Sequence, residues 1–87
     1  MYYYVYVLLS VKDNQLYTGY TSDLKRRLND HQTGIVNSTK YRLPLKLIYF
    51  EGCLNQQDAT RREKYLKSGN GKIYIKSRMR LFFNPTG

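Results

Sequence analysis

Tryptophan is absent, and histidine and cysteine occur once each, as His31 and Cys53. One cysteine excludes an internal disulfide and any multi-cysteine zinc site, and one histidine excludes a multi-histidine metal centre. The lone thiol suits a reducing compartment. No stretch reaches the run of about 18 apolar residues that crosses a bilayer. Residues 1–9 lack the basic start of a secretion signal, and their tyrosines do not suit one. The expectation is a soluble, cytoplasmic protein with no membrane partner. Neither a Walker A motif nor a dinucleotide glycine pattern is present, so no nucleotide cofactor is expected.

Acids are also scarce. Asp13, Asp23, Asp30, Glu51, Asp58 and Glu63 face fifteen Lys and Arg, for a formal charge of +9 on 87 residues. Such an excess on so small a chain points to a polyanionic partner, most often nucleic acid. A ribosome-type binder, or a surface that is merely basic, would carry the same charge. A two-metal nuclease centre, which draws on several clustered carboxylates, is hard to assemble from six scattered ones. A chain of this length buries about two-thirds of its unfolded surface, enough for one core. A single domain over 1–87 is expected, with its core at about 2–80.

Tyr2 to Leu9 is rich in aromatic and β-branched residues and reads as a buried strand. Lys12-Asp13-Asn14-Gln15 is a polar break, and Leu16 to Tyr20 resumes the strand, so the two should form an antiparallel hairpin. Thr21 or Ser22 is the expected cap of a helix over 23–33, with Asp23 in its first turn and Gly34 as its stop. A polar, basic loop over 37–44 precedes a third strand, Leu45 to Phe50. Asn55 caps a second helix that runs to about Lys67, with Asp58 at its third position. Ser68-Gly69-Asn70-Gly71 breaks it. Residues 72–83 fit either a strand or a helix; the spacing of Tyr74, Arg78 and Leu81 favours a helix. The last residues should fray. The order β-β-α-β-α-α makes an α/β (α+β) fold, a central three-stranded, mainly antiparallel sheet flanked by helices.

Residues on a helix advance by about 100° each, which places Glu63 on the same face as Ala59 and Leu66. A carboxylate looking inward needs a cation or several donors, which makes Glu63 a candidate metal ligand. The plainer alternative is an exposed i, i+4 pair with Lys67. Arg27 and His31 are i, i+4 neighbours flanking the Leu24–Leu28 stripe. They form either a cationic pair aimed at phosphate or, respectively, a solvated arginine and a partly buried histidine with one hydrogen bond. Tyr6 and Tyr17 fall on the hairpin strands. A phenol of pKa about 10 is scarcely ionised at neutral pH, and a field of Arg, His and metal would lower it.

Tyr4-Val5-Tyr6, then Tyr17-Thr18-Gly19, Asp23-Leu24-Lys25-Arg26-Arg27-Leu28, His31 and Arg62-Glu63 together resemble the GIY-YIG nuclease superfamily. The resemblance is nearest to small single-domain members related to the N-terminal domain of the excinuclease subunit UvrC. The first glycine of the motif is Tyr4 here, and Thr18 stands at the middle of the second tripeptide. The resemblance implies a three-stranded antiparallel sheet with flanking helices and a divalent-metal-dependent phosphodiesterase. It implies catalytic roles for Tyr6, Tyr17, Arg27, His31 and Glu63, with Glu63 as the metal ligand. Asn70 and Asn84 are candidates for an asparagine that some members carry late in the domain. One Mg²⁺ or Mn²⁺ ion is expected, since magnesium often uses only one or two carboxylates. Gly19 is expected to let backbone approach the site, and Lys40, Arg42, Lys72, Lys76, Arg78 and Arg80 to track a nucleic-acid backbone. The expected activity is a DNA endonuclease, structure-selective and linked to repair, with DNA as the partner and RNA as the other candidate. The alternatives are a catalytically inactive nucleic-acid-binding module and a basic ribosome- or RNA-associated protein.

Overall fold

The computed structural model describes residues 1–86. Seven elements follow one another: β1 (Tyr3–Ser10), β2 (Leu16–Thr21), α1 (Leu24–Gln32), β3 (Leu45–Cys53), α2 (Gln56–Lys67), α3 (Gly69–Arg78) and α4 (Arg80–Phe83). The three strands form one sheet in the order β2-β1-β3, antiparallel throughout. The expected architecture is the observed one, with the C-terminal helix divided in two.

β1 lies in the middle because its residues are buried on both faces. Side chains alternate along a strand. Val5 and Val7 point to one face and meet Ala59 and Leu66 of α2 and Ile75 of α3. Tyr6 and Leu8 point to the other, where Leu24 and Leu28 of α1 pack with Leu45. The molecule is therefore layered, with α1 on one side of the sheet and α2 and α3 on the other. At about 25 cal/mol per Å² of apolar surface, these two seams supply the main drive to fold.

Local signals set most boundaries. Asn14 takes a left-handed conformation (φ 59°) in the β1–β2 turn, which asparagine tolerates. Asn55 caps α2 by accepting the Asp58 amide. Gly34, at φ 78°, ends α1 as expected.

Three details differ from the sequence reading. Asp23 is itself the cap of α1, its carboxylate accepting the Arg26 amide, while the Thr21 hydroxyl accepts the amide of Asp23. An aspartate at the cap satisfies an orphan amide and meets the positive end of the helix together. β3 continues to Cys53, because its pairing with β1 extends to Tyr3. The stretch 68–71 is a corner, not a gap: Ser68 closes α2 and its hydroxyl accepts the Gly71 amide to start α3. Of the expected frayed end, residue 87 lies outside the described residues. Among the described residues no helix is long and apolar enough to cross a membrane.

Candidate active site

Strand register brings Tyr6 opposite Gly19 and Leu8 opposite Tyr17. Facing residues of an antiparallel pair share a side, so both tyrosines look toward α1. Gly19 sits under the Tyr6 ring. A Cβ there would overlap the phenol oxygen and ring of Tyr6. Tyr6 thus fills the space that Gly19 leaves on this face of the sheet. Tyr6 is only 1% exposed.

Behind Tyr6 lies a closed polar chain. The Tyr6 hydroxyl and His31 Nε2 are 2.8 Å apart, and His31 Nδ1 lies 2.8 Å from Thr39 Oγ1. His31 and Thr39 are both 0% exposed. A neutral imidazole has one donor and one acceptor nitrogen, so this chain runs in one direction or the other. The Tyr17 ring meets the His31 ring edge to face at 5.2 Å. Burial lowers the His31 pKa, and the neighbouring Arg27 charge lowers it further, against a smaller upward pull from Asp30. His31 is therefore no member of a cationic pair and has no surface to offer a phosphate. A charged imidazole would lose its water without gaining an anionic partner.

This burial has a pH signature. In the unfolded chain the imidazole titrates near 6.5, whereas the folded value lies lower. As pH falls below about 6.5 the unfolded state takes up a proton that the native state refuses, so stability declines. Above that range the contribution is constant. Because His31 is the only histidine, its ring NMR signals titrate alone. The expected midpoint lies below 6.5 and the melting temperature falls between pH 7 and 5.5. A midpoint at or above 6.5 contradicts the buried neutral pair.

Burial also dominates Tyr6 and raises its pKa. Arg27 pulls the other way, while the Tyr17 phenol and the charge of Glu63 act with burial. The lowering expected from a positive surrounding is thus outweighed by burial. Tyr17 is the phenol that reaches the surface, where it accepts a 3.4 Å bond from Ser38.

Arg27 is partly buried and lines a shallow depression of about 290 Å³ with Ser22, Asp23, Arg26 and Asp30. On α2, Glu63 keeps 20% of its side chain exposed and pairs with Lys67 at 3.2 Å. The i, i+4 pair thus forms, and the carboxylate is mostly shielded. It borders a separate depression with Thr60, Arg61 and Lys64. Arg27 lies on α1 and Glu63 on α2, in the layers on opposite faces of the sheet.

Glu63 supplies hard oxygen ligands, which suit a hard divalent cation that keeps most of its water. Among the described residues no group of three or more His, Cys, Asp or Glu comes together. The donors therefore fit one hydrated ion and no all-protein cage.

The expected basic tracks divide. Arg42 is held by Asp13 at 3.0 Å, with a further contact to the Leu16 carbonyl, and serves to close the loop. Lys40 is exposed on the same loop, over the Tyr41 ring. Lys72, Lys76, Arg78 and Arg80 are exposed on α3 and α4, and α3 packs on the sheet face opposite α1. Asn70 and Asn84 are exposed, one in the first turn of α3 and one closing α4.

Sequence reasoning missed Thr39, an unremarked polar residue in a polar loop. It also missed the clamp around Arg62. Arg62 donates to Glu51 at 2.9 Å and stacks on Tyr74, and Tyr49 donates to the same carboxylate at 3.0 Å. Burial and this carboxylate push the Tyr49 phenol up to about 12. Arg62 thus ties α2 to β3, while its neighbour Glu63 faces elsewhere.

This three-stranded sheet with helices on both faces, carrying two phenols, an arginine and a shielded glutamate, is a nuclease-type fold. A family model described as the GIY-YIG catalytic domain matches residues 2–79, and the chain belongs to that family. Within it, the chain is 51% identical over 65 residues to UPF0213 protein SAG0778 of Streptococcus agalactiae, covering 74% of this chain and 73% of that one. It is 45% identical over 65 residues to UPF0213 protein CPE1444 of Clostridium perfringens, covering 74% and 69%. The solution NMR structure of UPF0213 protein BH0048 from Bacillus halodurans matches with a TM-score of 0.57 at 34% identity, covering 91% of this chain and 86% of that one.

Proposed function

We propose that the protein is a metal-dependent endonuclease that hydrolyses phosphodiester bonds in DNA. The observation that carries this reading is the match of residues 2–79 to the GIY-YIG catalytic domain, on a chain that keeps a largely shielded carboxylate, Glu63, amid a charge of +9. A purely binding surface has no use for a shielded carboxylate, which repels the phosphates that fifteen Lys and Arg attract.

Hydrolysis adds water across a phosphorus–oxygen bond. The water oxygen joins phosphorus, one of its protons leaves, and the departing sugar oxygen gains a proton. Arg27 binds the phosphoryl oxygens, its planar fork suiting two parallel contacts, and offsets the charge that grows there. Tyr17 has surface at the site and holds the attacking water. Tyr6 and His31, with Thr39 behind them, form the buried support that fixes Tyr17 and Arg27 in place. Glu63 would hold a Mg²⁺ or Mn²⁺ ion, which would supply Lewis acidity and offset charge on the leaving oxygen. Exposed Lys25, Arg26 and Lys40 hold the strand without reading its sequence.

A cleavage panel tests this. Single-stranded, duplex, flapped and branched DNA, and RNA, are incubated with Mg²⁺, Mn²⁺ or a chelator. Metal-dependent cutting of DNA is the expected result. Tight binding with no cutting under any metal would leave a nucleic-acid-binding module, and binding confined to RNA would favour a ribosome-type partner.

A further inference from the structure

The face of the sheet that carries Tyr6 also carries an aromatic row that the nuclease reading does not use. Register sets Tyr4 opposite Gly52 and Tyr6 opposite Phe50, so Tyr4, Tyr6 and Phe50 share one side. The Tyr4 ring lies 6.3 Å from both Tyr2 and Phe50. Tyr6 is sealed, but Tyr2 and Phe50 are each 52% exposed. Between Tyr4, Phe50 and the α1 residues Leu24, Lys25 and Leu28 runs a groove of about 520 Å³. Ser22 and Asp23 line both this groove and the Arg27 depression, so the two adjoin at the N-terminus of α1.

We propose that this groove is a nucleobase subsite, in which an unstacked base of the strand held at Arg27 lies against Phe50 and Tyr4. The proposal rests on the nuclease reading for the position of the strand. Three features select this occupant. The apolar walls, Leu24 and Leu28 with the two rings, suit a planar ligand with π-faces and no charge of its own. Lys25 at the rim complements the phosphate that such a base carries. The groove also continues into the depression where a phosphate would sit. Base–aromatic stacking of this kind tolerates any base, since each has a π-face. A base paired within a duplex keeps its faces covered and cannot enter.

The test is equilibrium binding, read by fluorescence anisotropy in chelator so that nothing is cut. Phe50→Ala is expected to weaken binding of a single-stranded oligonucleotide by about 5- to 160-fold, the range typical of one lost stacking partner. Phe50→Trp should preserve it. Affinity for a duplex of equal length should change less than about twofold. An oligonucleotide with abasic sites should bind wild type as weakly as the normal one binds Phe50→Ala, with no further loss when the two changes are combined. Melting curves establish that each variant folds. Equal losses on single strand, duplex and abasic strand would overturn the proposal, as would no loss at all. Sedimentation that shows a wild-type dimer and a monomeric Phe50→Ala would assign the groove to a second copy instead. Absence of cutting in the metal panel would sink the nuclease reading and leave this binding result to be judged separately.

Discussion

Glu63→Gln is expected to cut DNA at least about 100-fold more slowly than wild type while binding it at least as well. Glutamine keeps the shape of the side chain and removes its charge. If the carboxylate holds a cation at the scissile phosphate, its loss removes transition-state stabilisation worth about 2.7 kcal/mol or more. Removing a negative charge near bound phosphates also favours binding. The substitution is a clean one. The pair with Lys67 joins partly exposed side chains, 53% and 20%, and i, i+4 pairs of this kind contribute only about 0.3–0.5 kcal/mol. The melting temperature should therefore scarcely move. Equal rates for the two proteins across a Mg²⁺ titration would remove Glu63 from the reaction. A slower variant that regains wild-type rate at high Mg²⁺ would instead assign it to metal affinity alone.

Gly19→Ala should do the opposite, damaging the fold and the site together. The added methyl meets the Tyr6 phenol oxygen and ring. That ring has little freedom to retreat, since it is sealed from solvent, bonded to His31 and packed against it edge to face at 5.6 Å. Overpacking in a filled core costs about 1–3 kcal/mol. Breaking the Tyr6–His31 bond adds roughly 1 kcal/mol and leaves a buried imidazole nitrogen without its partner. A total of about 2–4 kcal/mol corresponds to a fall in Tm of roughly 10–30 °C for a domain of this size. Tyr6→Phe removes the same bond, and takes away the atom nearest the new methyl. The double variant should therefore cost less than the sum of the two single ones. Thermal melts of the four proteins read this directly. Strict additivity, or a Gly19→Ala protein that melts with the wild type, would mean that the ring moves aside freely.

These two positions also mark how far the sequence could be read. Gly19 is set by its spacing from Tyr17 within one strand, and the hairpin pairing that seats it under Tyr6 follows from a short polar turn between two apolar runs. Those features belong to neighbouring residues, as do the Asn55 cap, the Gly34 stop and the charge excess. The inward cast of Glu63 likewise came from helical spacing to Ala59 and Leu66. That residues 72–83 would be helical was legible only in the spacing of Tyr74, Arg78 and Leu81, since Ile73-Tyr74-Ile75 fits a strand as well.

By itself, then, the sequence determined the strands, the helices, their order and the residue types available to a site. Local pattern and charge are enough for that. Tertiary structure alone decided which of these groups are buried and which meet the solvent. Nothing near His31 in the chain says that Tyr6, 25 residues before it, and Thr39, eight after it, will enclose it and keep it neutral. Nor does the Arg62-Glu63 pair reveal that its arginine will be taken by Glu51 and Tyr74. Burial of a polar group depends on which distant surfaces close over it. The free energy of its proton follows from that enclosure and not from its neighbours in sequence.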